Sequence, residues 1–294
     1  MHTAPRASEL IRNSDGSIYH LHLFPEQVAD IVITVGDPDR VAQVSKHFDA
    51  IEFQQQKREF ITHTGTIGKK RITVISTGIG PDNIDIVLNE LHALKQFDFK
   101  GHIAKSIEQP FTIIRFGTSG SIQADIPVGS LLMSEMGIGI DNVMHFYNHR
   151  NNDAETAFLE QFKLHCYFHH TIHPYIASAD ISLLTHFAKE FISGITLTAP
   201  GFYAPQGRAV NLPVSHPDFY SEITTFNHAG KRITNFEMET ATIYGLSALL
   251  GHRAISLNVL LANRATGEFI TDPSAAVEHL IKTGIEMIAD SDFK

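Results

Sequence analysis

The chain is 294 residues long and 43% hydrophobic, with 32 acidic against 23 basic residues and a formal net charge of −9. That length and apolar content can bury a full core as one α/β domain over residues 1–294, undivided by any Pro-, Ser- or Gly-rich linker, and the acidic balance excludes a general nucleic-acid-binding surface. The single cysteine, Cys166, excludes an intramolecular disulfide, no apolar run reaches membrane-spanning length, and the N-terminal stretch MHTAPRASELIRNSDGS has no signal-peptide core, so a cytoplasmic protein that meets no membrane is expected.

In chain order, residues 10–23 read as a hairpin turning at Asn13-Ser14-Asp15-Gly16, within an N-terminal extension over 1–23. His20 and His22 alternate with Tyr19 and Leu21 and point to the other face. Residues 31–35 are a β-branched run expected of a strand buried on both faces. It ends in Gly36-Asp37-Pro38-Asp39-Arg40, ahead of a helix marked by Val41, Val44 and Phe48. A strand feeding a glycine turn and a helix with Pro in its first turn aims backbone N–H groups at an anion, and Arg40 adds a forked cation. Residues 60–67 and 71–76 pair as a second hairpin, and Ile84, Val87, Leu88, Leu91 and Leu94 mark the helix after Gly80-Pro81. Residues 97–110 are polar and read as a surface insertion.

Residues 111–116 form the next buried strand, expected to end in a glycine turn at Gly117-Thr118-Ser119-Gly120, and residues 131–133 continue the sheet. Amphipathic helices are predicted over 154–168 and 181–192, a short strand over 194–198, and an irregular Pro/Gly-rich loop over 199–208. Residues 235–251 place Glu237 and Glu239 at the mouth of an apolar helix. Residues 253–261 close the sheet, Asn263-Arg264 end that strand, and 273–289 form the last helix.

Charge at the start of an apolar helix has to be satisfied. A first-turn cap would do so, and so would a vicinal diol, both of whose hydroxyls one carboxylate can accept; the local pattern alone favours the cap. Arg115 interrupts an otherwise apolar strand and needs an anion or a polar pocket. With Arg40, Arg58, the Gly36 N–H and the Thr118 hydroxyl it would suit a phosphate dianion, although any one of these arginines alone reads as a surface ion pair. Neither nucleotide fingerprint is present: Gly78-Ile79-Gly80 lacks a third glycine, and the run from Gly65 to Lys69 is too short for a P-loop. His145 and His149, and His165, His169 and His173, recur at helical spacing, but with no HExxH and no carboxylate at ligand spacing they read as solvated or subunit-facing surface. No GxSxG elbow supports a serine hydrolase.

Taken together, VGDPDRV (35–41), KREF (57–60), STGIG (76–80), IRFGTSGSIQ (114–123), FYAPQGR (202–208) and NFEMETAT (235–242) resemble, in this order, the nucleoside phosphorylases of the trimeric and hexameric class. They look most like the uridine phosphorylase branch. The resemblance implies a single α/β domain, three-layer αβα, with a mixed central β-sheet. It implies phosphate binding by Gly36, Arg40, Arg115 and Thr118, with Arg58 reaching a neighbouring subunit's phosphate and His20 the 5′-hydroxyl across the same interface. Met238 and Glu239 match the ribose-binding pair, preceded by Glu237. Phe202, Gln206 and Arg208 match the uracil-reading group, with Arg264 beside it. Arg115, Gln206, Arg208 and Glu239 are the implied catalytic set. Glu59, Ile72 and Ser76 match positions that hold a monovalent cation, potassium, at a dimer interface in some relatives. No other metal or cofactor is implied, phosphate being a co-substrate. The implied form is a homo-oligomer of at least two chains, with a hexamer expected.

The implied reaction joins uridine and phosphate to give uracil and ribose 1-phosphate. Oriented phosphate stabilises positive charge building on the sugar, while Gln206 and Arg208 stabilise negative charge on the departing base. Purine-cleaving members commonly carry an aspartate where this chain has Asn263, which argues for a pyrimidine. A purine nucleoside phosphorylase, a nucleosidase using water and a nucleoside-binding sensor stand as alternatives, the last if the 97–110 insertion or the Pro81-Asp82-Asn83 turn displaces Arg115 or Thr118.

Overall fold

The computed structural model describes residues 5–98, 103–104 and 109–293. Its strands are β1 (Ile31–Val35), β2 (Ala50–Lys57), β3 (Phe60–Ile67), β4 (Lys70–Ser76), β5 (Phe97–Asp98), β6 (Ile103–Ala104), β7 (Thr112–Ser121), β8 (Leu131–Gly139), β9 (Tyr175–Ser178), β10 (Ile192–Thr198), β11 (Asn227–His228), β12 (Lys231–Glu237), β13 (Arg253–Asn263) and β14 (Glu268–Phe269). Its helices are α1 (Pro38–Ser45), α2 (Pro81–Gln96), α3 (Asp153–His165), α4 (Ile181–Phe187), α5 (Phe219–Thr225), α6 (Thr240–Leu249) and α7 (Pro273–Ala289). Among the described residues no helix is long and apolar enough to cross a membrane.

Alternation along the strands sorts the helices into layers. Ile31, Ile33 and Val35 of β1, Ile114 and Phe116 of β7 and Ile255, Leu257 and Val259 of β13 share one core with Val41 and Val44 of α1 and Leu280, Ile281 and Ile288 of α7. The side chains between them, Val32, Ile113 and Ala254, join Ile84, Val87 and Leu91 of α2 and Ile243, Tyr244 and Leu246 of α6 in a second core. The sheet therefore lies between two helical layers, the three-layer α/β arrangement that the resemblance implies.

The main sheet runs β11-β12-β10-β8-β13-β7-β1-β4-β3-β2, with β9 on β8 and β14 on β13. It is mixed: β1 is parallel to β4 and β7, and β7 to β13, whereas β13–β8 and the β2-β3-β4 meander are antiparallel. β12 also returns to β7, at Asn235↔Ser121 and Phe236↔Gly120, so β7-β13-β8-β10-β12 close into a ring. That closure brings the chain after β12 against the far end of β7.

Several sequence expectations change. Gly117 to Gly120 are not a turn, because β7 continues to Ser121, paired with β13 throughout. The glycine at 117 makes room: a Cβ there would lie 1.6 Å from Arg115 Nη1, so the guanidinium packs across that backbone. The N-terminal hairpin reduces to a single bridge, Arg12↔Ile18, as the Asn13 amide donates to Ser17 Oγ and the Ile18 carbonyl in place of a ladder. α3 stops at His165, α4 at Phe187, and β10 starts at Ile192, inside the helix predicted over 181–192. β8 runs on to Gly139, and β13 is interior to the sheet rather than its closing edge. Of the insertion predicted over 97–110, β5 and β6 pair antiparallel, while 99–102 and 105–108 lie outside the described residues. The hairpin over 60–76, the helix after Gly80 and α7 fall where the periodicity puts them.

Candidate active site

One cleft, of about 740 Å³, gathers most of the predicted side chains. At one end β1 passes into α1, whose N-terminus is capped by Asp37 accepting the Asp39 N–H at 3.0 Å, with Pro38 in the first turn. This turn sets Gly36 and Arg40 in the cleft wall, opposite Arg115 and Thr118 of β7. Arg40 donates to the Phe116 carbonyl at 3.3 Å, which fixes it beside β7. Burial and the Arg115 charge lower the Arg40 pKa from its ordinary value, against opposing pulls from Asp37 and Glu239. Two guanidinium groups held close at a water-poor end of a cleft favour an anion between them.

Arg115 is 5% exposed, so its charge needs partners. Nη2 donates to Glu239 Oε2 at 2.6 Å and lies 3.4 Å from Glu237 Oε2, and Nη1 donates to Asn258 Oδ1 at 2.7 Å. Burial opposes the cation, but Glu239 and Glu237 outweigh it and raise the Arg115 pKa. Glu239 carries the matching conflict: burial raises its pKa, Arg115 lowers it, Glu237 raises it, and the net direction is upward.

The two glutamates divide the roles that the sequence leaves open. Glu237 ends β12 and accepts from the N–H groups of Glu239 and Thr240, both at 2.9 Å, and from Thr198 Oγ1 at 2.6 Å. It is the cap of α6. Glu239 occupies the N-cap position yet makes no side-chain cap; it accepts instead from the Gly80 N–H at 2.8 Å and from Arg115. Its carboxylate is thus held at the cleft wall beside half-buried Met238. Pro81-Asp82-Asn83 form the first turn of α2, and Arg115 and Thr118 both keep their places in the cleft.

The other end is lined by Phe202, Gln206, Arg208, Phe236, Leu261, Ala262 and Phe269. A single 3₁₀ turn at Ala204–Gln206, closed by Gly207 at φ 70°, buries Gln206 and turns Arg208 back toward it. Arg208 donates to Gln206 Oε1 and to the Phe202 carbonyl, and its guanidinium lies 4.0 Å from the Phe202 ring centre. Burial and the Arg264 charge lower the Arg208 pKa, and burial lowers that of Arg264. A second pair of cations therefore waits at this end.

Not every predicted residue enters the cleft. Arg264 stacks 4.1 Å from the Tyr220 ring and donates to the Gln206 main-chain carbonyl, so it braces the base-end turn from behind. His20 lies off the cleft: its ring Nδ1 sits 2.6 Å from Glu90 Oε1, and Glu90 also accepts the N–H groups of His20 and Leu21. Arg58, exposed at φ 56°, stands 5.9 Å from the Tyr19 ring that His20 also contacts. The two residues matched to a neighbour's site thus share one patch of this chain. The cation set does not hold together. Ile72 and Ser76 are four residues apart on β4, about 13 Å at ~3.3 Å per residue, and Ser76 Oγ is spent on the Glu59 carbonyl and the Ile61 N–H. One potassium ion cannot take ligands from both positions of one chain. The histidine-rich stretch is engaged locally, His165 with the Glu222 carbonyl and His169 with Thr171, and among the described residues no cluster of three metal-binding side chains occurs.

Sequence reasoning missed Asn258, although its signal is that of Arg115, a polar residue inside an apolar strand. Asn263, expected at the position of a purine-directed acid, is 1% exposed and fully occupied: Nδ2 donates to the carbonyls of Gln123 and Ile126, and Oδ1 accepts from Ala265 and Thr266.

The chain is similar to known proteins over most of its length. The chain is 30% identical over 268 residues to a uridine phosphorylase of Thermococcus kodakarensis, covering 90% of this chain and 83% of that one. It is 27% identical over 254 residues to a DeoD-type purine nucleoside phosphorylase of a Geobacillus strain, covering 86% and 89%. Among solved structures it overlays a Trypanosoma brucei nucleoside phosphorylase with uridine phosphorylase activity at a TM-score of 0.88 and 29% identity, over 96% of this chain and 100% of that one. The sequence pattern of one family spans residues 30–289, from the first residues of the central sheet to the end of α7, and by that match the chain belongs to the Phosphorylase superfamily.

Proposed function

We propose that the protein is a pentosyltransferase that catalyses the reversible phosphorolysis of uridine to uracil and ribose 1-phosphate. Arg40, Arg115, Thr118 and the Gly36 N–H take the phosphate, Glu239 accepts the ribose 2′- and 3′-hydroxyls, and Met238 packs on the sugar. Glu237 serves the site by capping α6, so that Glu239 is not consumed as a cap. As the glycosidic bond loosens, bound phosphate stabilises the positive sugar carbon. Gln206 and Arg208 at the base end stabilise charge gathering on the uracil oxygens. Phosphate attacks C1′ directly, and no covalent enzyme intermediate forms.

The base end carries the choice of uridine over a purine nucleoside. Gln206 and Arg208 offer an amide and a guanidinium to the uracil edge, and no carboxyl lines that end among the described residues. Asn263, where a purine acid would stand, is tied to main chain on both its amide atoms. Phosphate is a co-substrate, and no step here uses a metal.

His20 and Arg58 are proposed to serve a neighbouring subunit's site, which makes the active form at least a dimer, with a hexamer built from such pairs, in the cytoplasm. Incubation with uridine, with and without phosphate, following free uracil by absorbance, tests the reaction. Uracil release that requires phosphate supports it, and equal release without phosphate makes the protein a nucleosidase. Faster turnover of inosine or adenosine than of uridine transfers the assignment to purines. An active monomer in sedimentation removes the shared site.

A further inference from the structure

Asn258 has no exposed surface and does not line the cleft, yet it touches the residue on which the phosphate end depends. It faces Gly117 across the β7–β13 ladder, and its Oδ1 accepts from Arg115 Nη1 at 2.7 Å. Its Nδ2 donates to Ser256 Oγ at 3.2 Å, and that hydroxyl accepts from Thr240 Oγ1 at 2.8 Å. Thr240 opens α6, directly after Glu239. The Arg115 guanidinium is thus held on two sides, by Asn258 and by Glu239, with both clamps tied to the same helix start.

The charge balance explains why an amide is suited to this place. Arg115 from β7 already meets Glu239 at 2.6 Å and Glu237 of β12 at 3.4 Å. Arg40 from α1 is the other cation of this end, and Tyr244 of α6 is buried nearby, donating to the Ser134 carbonyl of β8. Asp37 acts on Arg40, and Glu59 also lines the cleft, so one more carboxylate at 258 would be a third beside the Arg115 guanidinium, in a site already rich in carboxyl groups before any phosphate arrived. An amide oxygen supplies the same geometry with no charge.

We propose that Asn258 is a positioning residue for the phosphate end: a neutral acceptor that aims the Arg115 guanidinium while leaving its charge to the incoming dianion. The inference rests on the phosphorylase reading above and deepens it.

The test compares Asn258→Asp, which keeps an acceptor of the same shape but adds charge, with Asn258→Ala, which removes the acceptor. Kinetics are measured with uridine and phosphate from pH 5.5 to 8. Asn258→Asp should raise the KM for phosphate by about tenfold or more at pH 8, with the KM for uridine little changed and the deficit shrinking toward pH 5.5 as the enlarged carboxylate cluster takes up a proton. Asn258→Ala should weaken phosphate use by a factor that stays constant across that range. In parallel, the rise in melting temperature on adding inorganic phosphate, read without nucleoside, should be smaller in Asn258→Asp at pH 8 than in the parent. That readout does not need turnover, so a parent that binds phosphate without cleaving uridine defeats the function and spares this inference. Parental phosphate KM and melting shift in Asn258→Asp at every pH, or equal and pH-independent deficits in both variants, overturn it. Should Asn258→Asp fail to fold, Asn258→Ser must still show a phosphate-specific, pH-independent loss, and its absence counts against the proposal.

Discussion

Replacing Gly117 by alanine is the sharpest test of the phosphate end, because the perturbation is one methyl group and its target is known. A Cβ at 117 would stand 1.6 Å from Arg115 Nη1, 2.4 Å from its Cζ and 2.7 Å from Asn258 Oδ1. Restoring an ordinary separation of about 3.5 Å moves the guanidinium by ~2 Å, since β7 is paired with β13 through Gly117 and the free end of the arginine side chain is the part that can shift. Contacts now at 2.6 Å to Glu239 and 2.7 Å to Asn258 would then open beyond hydrogen-bonding range. A displacement of about 1 Å at a reacting centre costs on the order of 10²-fold, and each lost charge-assisted bond about 1.5–3 kcal/mol, so kcat/KM for phosphorolysis should fall by about 10²- to 10³-fold. Uracil release under phosphate saturation gives kcat, a phosphate titration gives KM, and a thermal melt shows whether the fold survives. Gly120→Ala is the control for the strand's stability: its Cβ would meet no protein atom closer than 3.9 Å, and the melting temperature should stay near the parent. Activity of Gly117→Ala within about threefold of the parent would refute the reasoning, because Arg115 could then be moved without consequence.

The remaining predictions concern charge and burial. Glu237→Gln should cost about 1–2 kcal/mol of stability, read as a lower melting temperature, by weakening the acceptor for two N–H groups of α6, with a smaller loss of turnover than Glu239→Gln; the reverse order contradicts the division of roles. His252 accepts the Phe111 N–H and faces His92 at 3.1 Å, and burial, with the charges of His92 and Lys95, holds its pKa down at about 4, against 6.5 ordinarily. The unfolded chain therefore takes up this proton first, so stability is complete above pH 6.5 and lost as pH falls toward 4, by up to about 3 kcal/mol. Melting temperature against pH should show that decline, and His252→Asn should flatten it; an unchanged slope assigns the acid sensitivity elsewhere. Asn263→Asp should lower stability by about 1–3 kcal/mol, since a carboxylate would face the carbonyls of Gln123 and Ile126, and should confer no purine phosphorolysis in an inosine assay.

Much of the fold was legible because the core strands carry their own pattern. β1 and the first part of β7 are β-branched or apolar runs, and α7 has a cap, a first-turn proline and helical periodicity. β2 left a weaker trace: it is an edge strand whose Ala50, Glu52, Gln54 and Gln56 face solvent, and beyond Phe53 its other side carries Gln55 and Lys57, so the strand is too polar to stand out. Gly117 to Gly120 misled for a physical reason, since glycine signals a turn in isolation and signals close approach when a buried arginine must cross the strand. The cleft residues were gathered in the sequence by motif order, but the division of labour between Glu237 and Glu239 needed coordinates. Both carboxylates suit a helix start, and only the backbone geometry decides which one takes the N–H groups. Arg264 likewise reads as a base contact until its stacking on Tyr220 places it behind Gln206.

The two ends of the cleft rest on different supports. Arg115 and Thr118 sit in a strand bonded along its length to neighbours that close a ring, whereas Gln206 and Arg208 hang on an irregular loop of ten residues, 199–208, with one 3₁₀ turn. Substitution in that loop can therefore redraw which base is accepted without loosening the frame that orients phosphate. Change in the ring cannot be so confined, because every strand in it shares its hydrogen bonds with another wall of the site. A protein built this way is free to diversify in the molecules it cleaves while its attacking group stays the same.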